Sequence, residues 1–156
     1  MGLFSKEKTI NAVCDGKAYP IQEMKDEAFS SELLGKGYMI EPKNNYFYSP
    51  VNGEVEDISE SMHAYSILSD DGLEILIHIG IDTVSLNGEG FLPQVSKGEK
   101  IRAGDLITIA DIDLIKEKGF LTQTAVIITN SEKIKKLTYH FSDTVGGKGE
   151  IIKYRL

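Results

Sequence analysis

His63-Ala64-Tyr65-Ser66-Ile67-Leu68-Ser69-Asp70-Asp71-Gly72-Leu73-Glu74-Ile75-Leu76-Ile77-His78-Ile79-Gly80-Ile81-Asp82-Thr83-Val84 is the stretch that decides the fold and locates the chemistry. Two of the three histidines stand at the ends of a pair of apolar runs, 63–68 and 73–78. Both runs are aliphatic, β-branched or aromatic, and Ser69-Asp70-Asp71-Gly72 between them is a turn cluster, so the segment predicts a β-hairpin. A two-residue loop at Asp70-Asp71, or a four-residue loop from Ser69 to Gly72, pairs Leu68 with Leu73 and sets His63 opposite His78. A type I′ turn at Asp71-Gly72 sets Tyr65 opposite His78 instead. Side chains alternate along a strand, so either register puts His63, Tyr65, Ile67, Glu74, Leu76 and His78 on one face. The other face, Ala64, Ser66, Leu68, Leu73, Ile75 and Ile77, then reads as core. Only a three-residue loop would part the histidines.

Outward from the hairpin, the 156 residues suit one domain with a substantial core. Hydrophobic residues make up 41% and charged residues 26%, ordinary for a globular chain. A net charge of −7 argues against nucleic acid as a partner, because no basic patch is available to neutralise phosphates. One cysteine, Cys14, excludes an intramolecular disulfide and fits a reducing compartment. No segment has the length and apolarity of a membrane span, and residues 1–8 are too short and charged for a secretion signal, so a cytoplasmic location is expected, without an integral membrane segment. Residues 1–9 read as a flexible arm and 10–156 as the domain.

Short strands separated by Gly and Asx turns run through the chain, with helix expected only near 27–34, capped by Asp26, and near 111–118, capped by Asp111 or Asp113. Thr83 to Phe91 reads as a further strand and tight turn. Asp15-Gly16 and Asn52-Gly53 sit in similar apolar surroundings, which suggests an internal duplication of two type I′ hairpins. The pattern predicts an all-β fold, an antiparallel β-sandwich or barrel with one or two short helices.

Two facing histidines admit three chemistries. A zinc site needs three or four ligands, and the sequence offers His63, His78 and, four residues on, Asp82. A hydrolytic site would make a histidine the base for a nucleophile such as Ser61, but no strained nucleophile turn is present. Phosphoryl transfer through histidine itself needs a neutral imidazole, a second donor group and an apolar surround for protein partners, all of which the expected face supplies.

His78-Ile79-Gly80-Ile81-Asp82-Thr83-Val84, followed by Leu86-Asn87-Gly88-Glu89-Gly90-Phe91, resembles the signature of the glucose-type IIA component of the bacterial phosphoenolpyruvate-dependent sugar phosphotransferase system. Asp26-Glu27-Ala28-Phe29 to Gly35-Lys36-Gly37, Ser49-Pro50-Val51-Asn52-Gly53 and His63-Ala64-Tyr65-Ser66-Ile67 match in order. The resemblance implies a pseudo-duplicated β-sandwich with His78 as phosphoryl acceptor through Nε2 and His63 as the partner that steadies the phosphoryl oxygens. Ser61 would orient His63, the Gly80 backbone would orient His78, and Asp26 and Asp82 would flank the site. Phe29, Leu33, Leu34, Tyr65, Leu76 and Val84 would form an apolar docking rim. The implied donor is the phosphocarrier HPr, and the implied acceptor a cysteine in the IIB domain of a sugar permease. No cofactor is required, although zinc could lie between His63 and His78 with a partner's carboxylate. Alternatives are a regulatory binding module whose partner contacts are gated by phosphorylation and, behind it, a zinc-dependent hydrolase. Two departures stand out: Lys25 where a proline is usual, and Ser59 where a rim residue is typically apolar.

Overall fold

The computed structural model describes residues 6–156. Antiparallel strands dominate it: β1 (Lys8–Asn11), β2 (Gly16–Pro20), β3 (Lys36–Pro42), β4 (Tyr46–Tyr48), β5 (Gly53–Ile58), β6 (Ala64–Ser69), β7 (Glu74–His78), β8 (Phe91–Pro93), β9 (Lys100–Ile101), β10 (Leu106–Ala110), β11 (Thr124–Ile128), β12 (Lys136–Tyr139), β13 (Asp143–Thr144) and β14 (Glu150–Arg155). Helices are short, α1 (Glu27–Ser30) and α2 (Ile112–Glu117), with 3-10 turns at Ile21–Glu23, Thr83–Leu86 and Ser131–Lys133. The all-β expectation therefore holds. The expected flexible arm does not extend to residue 9, because Lys8 and Thr9 already pair with Tyr154 and Lys153 in β14; residues 1–5 of that arm lie outside the described residues.

An eight-stranded sheet, in the order β13-β2-β3-β11-β7-β6-β5-β9, is joined by two three-stranded sheets, β1-β14-β12 and β4-β10-β8. The order makes the duplication visible, since each half of the large sheet runs outward from the central β11–β7 pair through equivalent strands. Gly16 pairs with Pro42 at the end of β3, and Gly53 pairs with Ser69 at the end of β6. A Cβ at either glycine would lie 2.1 Å from a neighbouring carbonyl oxygen, that of Glu41 or of Leu68. The residue before each glycine accepts a backbone N–H from a later loop: Asp15 from Gly146 at 2.8 Å, Asn52 from Ala103 at 2.9 Å. The repeat is thus real, but neither Asx-Gly closes the type I′ hairpin expected. β1 pairs with β14 rather than β2, and the glycines serve close strand approach while the Asx side chains satisfy backbone donors.

Tyr38, Ile40, Phe47, Tyr65, Ile67, Ile75, Ile77, Ile107, Val126, Ile128 and Ile152 belong to one core drawn from all three sheets. The opposite face of the large sheet carries a smaller cluster of Ile21, Met24, Phe29, Met39, Ile81, Ala125 and Ile127, edged by Tyr19 and Leu76. β3 and β11 are apolar on both faces for this reason, and all of Thr124–Ile128 is buried. The connection across residues 21–35 covers the outer cluster. Its counterpart in the second half, residues 59–63, is far shorter and leaves room for the histidines.

The hairpin register differs from both expected ones. Leu68 pairs with Glu74 and Ala64 with His78. The loop is three residues, Asp70-Asp71-Gly72, closed by the Ser69 N–H on the Leu73 carbonyl at 2.8 Å, with Gly72 at φ +91°. A glycine at the third loop position accommodates that left-handed residue, which is why three residues prevail over two or four. Tyr65 and Ile67 consequently face the core alongside Ile75 and Ile77. Ala64, Ser66 and Leu68 share the outer face with Glu74, Leu76 and His78, reversing the expected assignment of the first strand. The strand expected from Thr83 is instead a 3-10 turn, entered through Asp82 at φ +61° and left through Asn87 at φ +51°.

Candidate functional site

His78 is the last residue of β7, on the outer face beside Ala64 and Ala125. Immediately after it the chain turns through Gly80, whose φ of +78° and close neighbours favour glycine, as a Cβ would meet Thr83 Cγ2 at 2.5 Å. The turn is pinned by Thr83 Oγ1 donating to the Ile79 carbonyl at 2.5 Å and by the Ile81 N–H donating to the Leu121 carbonyl at 3.0 Å. The Gly80 carbonyl lies 2.9 Å from His78 Nδ1. A carbonyl can only accept, so Nδ1 carries the proton and Nε2 presents a lone pair.

His63 lies just before β6 begins, in a tight segment where Met62 takes φ +61°. Regular strand alternation does not govern it there, so the three-residue loop does not part the two imidazoles. Their centroids are 4.8 Å apart and the rings nearly perpendicular at 89°. Phe29 also packs on His78, with centroids 5.0 Å apart and the rings tilted by 54°. The residues thus meet as expected, but through strand ends and a bent entry rather than through opposed register.

Burial, with lesser help from the charge of His78, holds the His63 pKa down to about 4. Burial also lowers the pKa of His78, against a pull upward from the Gly80 carbonyl and from Asp26 and Asp82. Both rings are neutral at pH 7, the state in which an imidazole nitrogen is a nucleophile. Asp26 caps α1, its carboxylate accepting the Ala28 N–H at 3.1 Å. Asp82 is exposed at the left-handed entry to the 3-10 turn.

Two expected placements are corrected. Tyr65 is 1% exposed, inside the main core, and contributes nothing to a rim. The hydroxyl at His63 Nδ1 belongs to Ser59, at 3.2 Å, not to Ser61, whose side chain makes no hydrogen bond among the described residues. Ser59 stands four residues before His63 and reaches back across a tight turn, a local hydroxyl motif open to recognition from spacing. Of the other residues expected in the rim, Leu33 is 81%, Val84 52% and Leu34 41% exposed, Phe29 is buried against His78, and Leu76 is half-buried. α1 stops at Ser30 because Glu32 turns left-handed at φ +61°, so Leu33 and Leu34 project from a loop rather than from the expected longer helix. Leu121, 45% exposed, joins the same neighbourhood through its carbonyl contact with Ile81; no local pattern in the sequence marks it.

A concavity of about 1000 Å³ is lined by Lys43, Tyr139, His140, Lys148, Lys153 and their neighbours and by none of the site residues. His78 lies instead beside Phe29 on the outer face of the large sheet, next to Ala64 and Ala125. No helix among the described residues is long and apolar enough to cross a membrane.

Residues 8–134 match the family model described as phosphoenolpyruvate-dependent sugar phosphotransferase system, EIIA 1. The chain is 40% identical over 148 residues to the PTS system glucose-specific EIIA component of Buchnera aphidicola, covering 95% of this chain and 92% of that protein. It is 38% identical over 147 residues to the PTS system glucose-specific EIICBA component of Streptococcus pneumoniae, covering 94% of this chain but only 20% of that longer protein. Among solved structures, glucose permease IIA from Mycoplasma capricolum superposes with a TM-score of 0.89 at 35% identity, over 97% of this chain and 99% of that one. The chain belongs to the EIIA 1 family of the phosphoenolpyruvate-dependent sugar phosphotransferase system.

Proposed function

We propose that His78 carries the phosphoryl group in the phosphocarrier role of this family, accepting it from phosphorylated HPr and passing it to a cysteine in the IIB domain of a sugar permease on the cytoplasmic side of the membrane. The observation that supports this most is the protonation pattern imposed on His78. Its Nδ1–H is held by the Gly80 carbonyl, which leaves Nε2 as a fixed lone pair in an apolar surround. In the forward step the Nε2 lone pair attacks phosphorus as the P–N bond of the donor phosphohistidine breaks. In the second step a cysteine thiolate attacks phosphorus, the P–Nε2 bond breaks, and its electron pair returns to the imidazole. His63, 4.8 Å away by ring centroid, steadies the phosphoryl oxygens in both steps. Leu33, Leu34, Val84, Leu76 and Phe29 form the apolar surface on which both partners dock, with Asp26 and Asp82 at its margin.

Incubation with phosphoenolpyruvate, enzyme I and HPr should place an acid-labile, alkali-stable phosphate on wild type and none on His78→Ala. Phosphate retained by His78→Ala would refute the assignment. His63→Ala should still accept phosphate and donate it poorly; an unimpaired donor would remove His63 from the mechanism.

Among the described residues no group of three or more His, Cys, Asp or Glu could hold a metal. His63 and His78 provide at most half of a tetrahedral zinc shell. A zinc at this pair would draw its remaining ligands from water or from a partner's carboxylate, as in a regulatory complex.

A further inference from the structure

We propose that Gln123 is a positioning residue for the phosphoryl-transfer site, its side-chain carbonyl latching the Lys25 backbone so that Asp26 and Phe29 stay in place against His78. This rests on the reading of His78 as phosphoryl carrier and adds the group that keeps its neighbours in register. Gln123 is half-buried and directly precedes β11, in which Ala125 pairs with His78. Its Oε1 accepts the Lys25 N–H at 2.9 Å. A backbone N–H can only donate, so the amide is oriented with its oxygen toward Lys25. Among the described residues, this is the one hydrogen bond that joins residues 21–35 to the rest of the chain. The other bonds of that connection close on itself, as from Met24 to Ile21, Gln22 to Glu32 and Ser30 to Asp26. Met24 and Phe29 are otherwise held by apolar packing with Ile81, Ala125 and Ile127. Such packing is non-directional, so the latch is what fixes the path of the chain between those two anchors.

The same short loop, residues 119–123, holds the other flank of the site. The Leu121 carbonyl accepts the Ile81 N–H at 3.0 Å, one residue beyond Gly80, whose carbonyl takes the His78 Nδ1 proton. One loop therefore ties the turn after His78 through a main-chain acceptor and the Asp26–Phe29 segment through a side chain. Lys25 is exposed, so water can replace Gln123 as its acceptor, and the latch weighs little in global stability. Its effect is local. Lys25 leads directly into Asp26, which caps α1 by accepting the Ala28 N–H at 3.1 Å, and α1 carries Phe29, 5.0 Å from His78 by ring centroid. Without the latch the segment opens at Lys25, and the Phe29 ring and the Asp26 charge shift relative to the imidazole that receives phosphorus.

NMR of the full chain, with phosphoryl transfer from HPr measured alongside, tests this. Gln123→Ala should weaken the nuclear Overhauser contacts between the Phe29 and His78 rings and slow transfer by roughly 2- to 10-fold, the worth of one ordinary hydrogen bond. Its thermal midpoint should stay close to that of wild type. Gln123→Glu, which keeps an oxygen acceptor, should retain the ring contacts. Lys25→Pro removes the donor, and Met24 at φ −70°, ψ 137° already has the extended conformation that precedes a proline. Adding Gln123→Ala to Lys25→Pro should therefore change nothing further, because the bond that Gln123 serves is gone. Unchanged ring contacts in Gln123→Ala, or an equal loss on adding it to Lys25→Pro, would overturn the proposal. Should Gln123→Ala fail to fold, the scalar coupling across the hydrogen bond in wild type, from Lys25 nitrogen to Gln123 Cδ, decides it: the coupling is expected, and its absence would overturn the latch. If His78 takes up no phosphate at all, the phosphocarrier reading fails, while the ring contacts and the coupling stand separately.

Discussion

At His63 and His78 the governing quantity is the cost of charging a buried imidazole. The consequence for stability has a definite sign. An unfolded His63 titrates near the usual 6.5, whereas the folded residue titrates at about 4. As pH falls from 6.5 toward about 4, the unfolded chain binds the proton first, so the stability from burying neutral His63 is complete above 6.5 and lost across that window. Urea denaturation measured across it should show a falling midpoint, and the fall should be smaller in His63→Gln. An equal fall in both would place the acid sensitivity elsewhere. The site was legible at this scale because histidine is rare here and two copies bracketed one hairpin. Ser59 was misjudged because, read as a lost rim residue, its hydroxyl went unweighed; the hydrogen bond across the 59–63 turn depends on the left-handed Met62, which no residue type announces.

The β6–β7 hairpin and the 21–35 connection do opposite jobs. The hairpin's strands were plain from β-branched and aliphatic content, but loop parity was not. Asp70-Asp71-Gly72 satisfies the chemistry of several turn lengths, and the native one joins a left-handed Gly72 to Ser69, whose backbone N–H and Oγ engage Leu73. That one-residue difference moved Tyr65 from the expected rim into the core. In the 21–35 connection, apolar residues that looked like one helical stripe divide by function. Phe29 covers the sheet and touches His78, while Leu33 and Leu34 face solvent. Replacing Leu33 and Leu34 together with Ser should change the denaturation midpoint little, by about 0.5 kcal/mol or less, as is usual at exposed positions. The double variant should nevertheless slow phosphoryl transfer from HPr by raising the apparent KM. A large loss of stability with normal transfer would show those leucines to be structural.

Across the whole molecule, the pseudo-symmetry supplies the frame and the site breaks it. Gly16 and Gly53, Asp15 and Asn52, and Tyr38 and Tyr65 occupy matching places in the two halves. By the same strand correspondence, the second half holds His63 and His78 where the first has Lys36, exposed, and Ile127, buried in the outer cluster. The duplicated frame was legible from two Asx-Gly pairs in similar settings, although as a strand-packing device rather than as hairpin turns. The pairing of β1 with β14 joins the chain's two ends and left no trace in local sequence, as expected of a contact across most of the chain length. On the proposed reading, this frame would let one imidazole present a single nitrogen to two successive partners, a phosphoryl donor and a sugar permease. Phosphorus-31 and nitrogen-15 NMR of the chain phosphorylated by phosphoenolpyruvate, enzyme I and HPr test that account most directly. The account predicts a phosphorus–nitrogen coupling to Nε2 of His78, with Nδ1 still protonated. A phosphoryl group on Nδ1 of His78, on His63, or on the exposed His140 would contradict it.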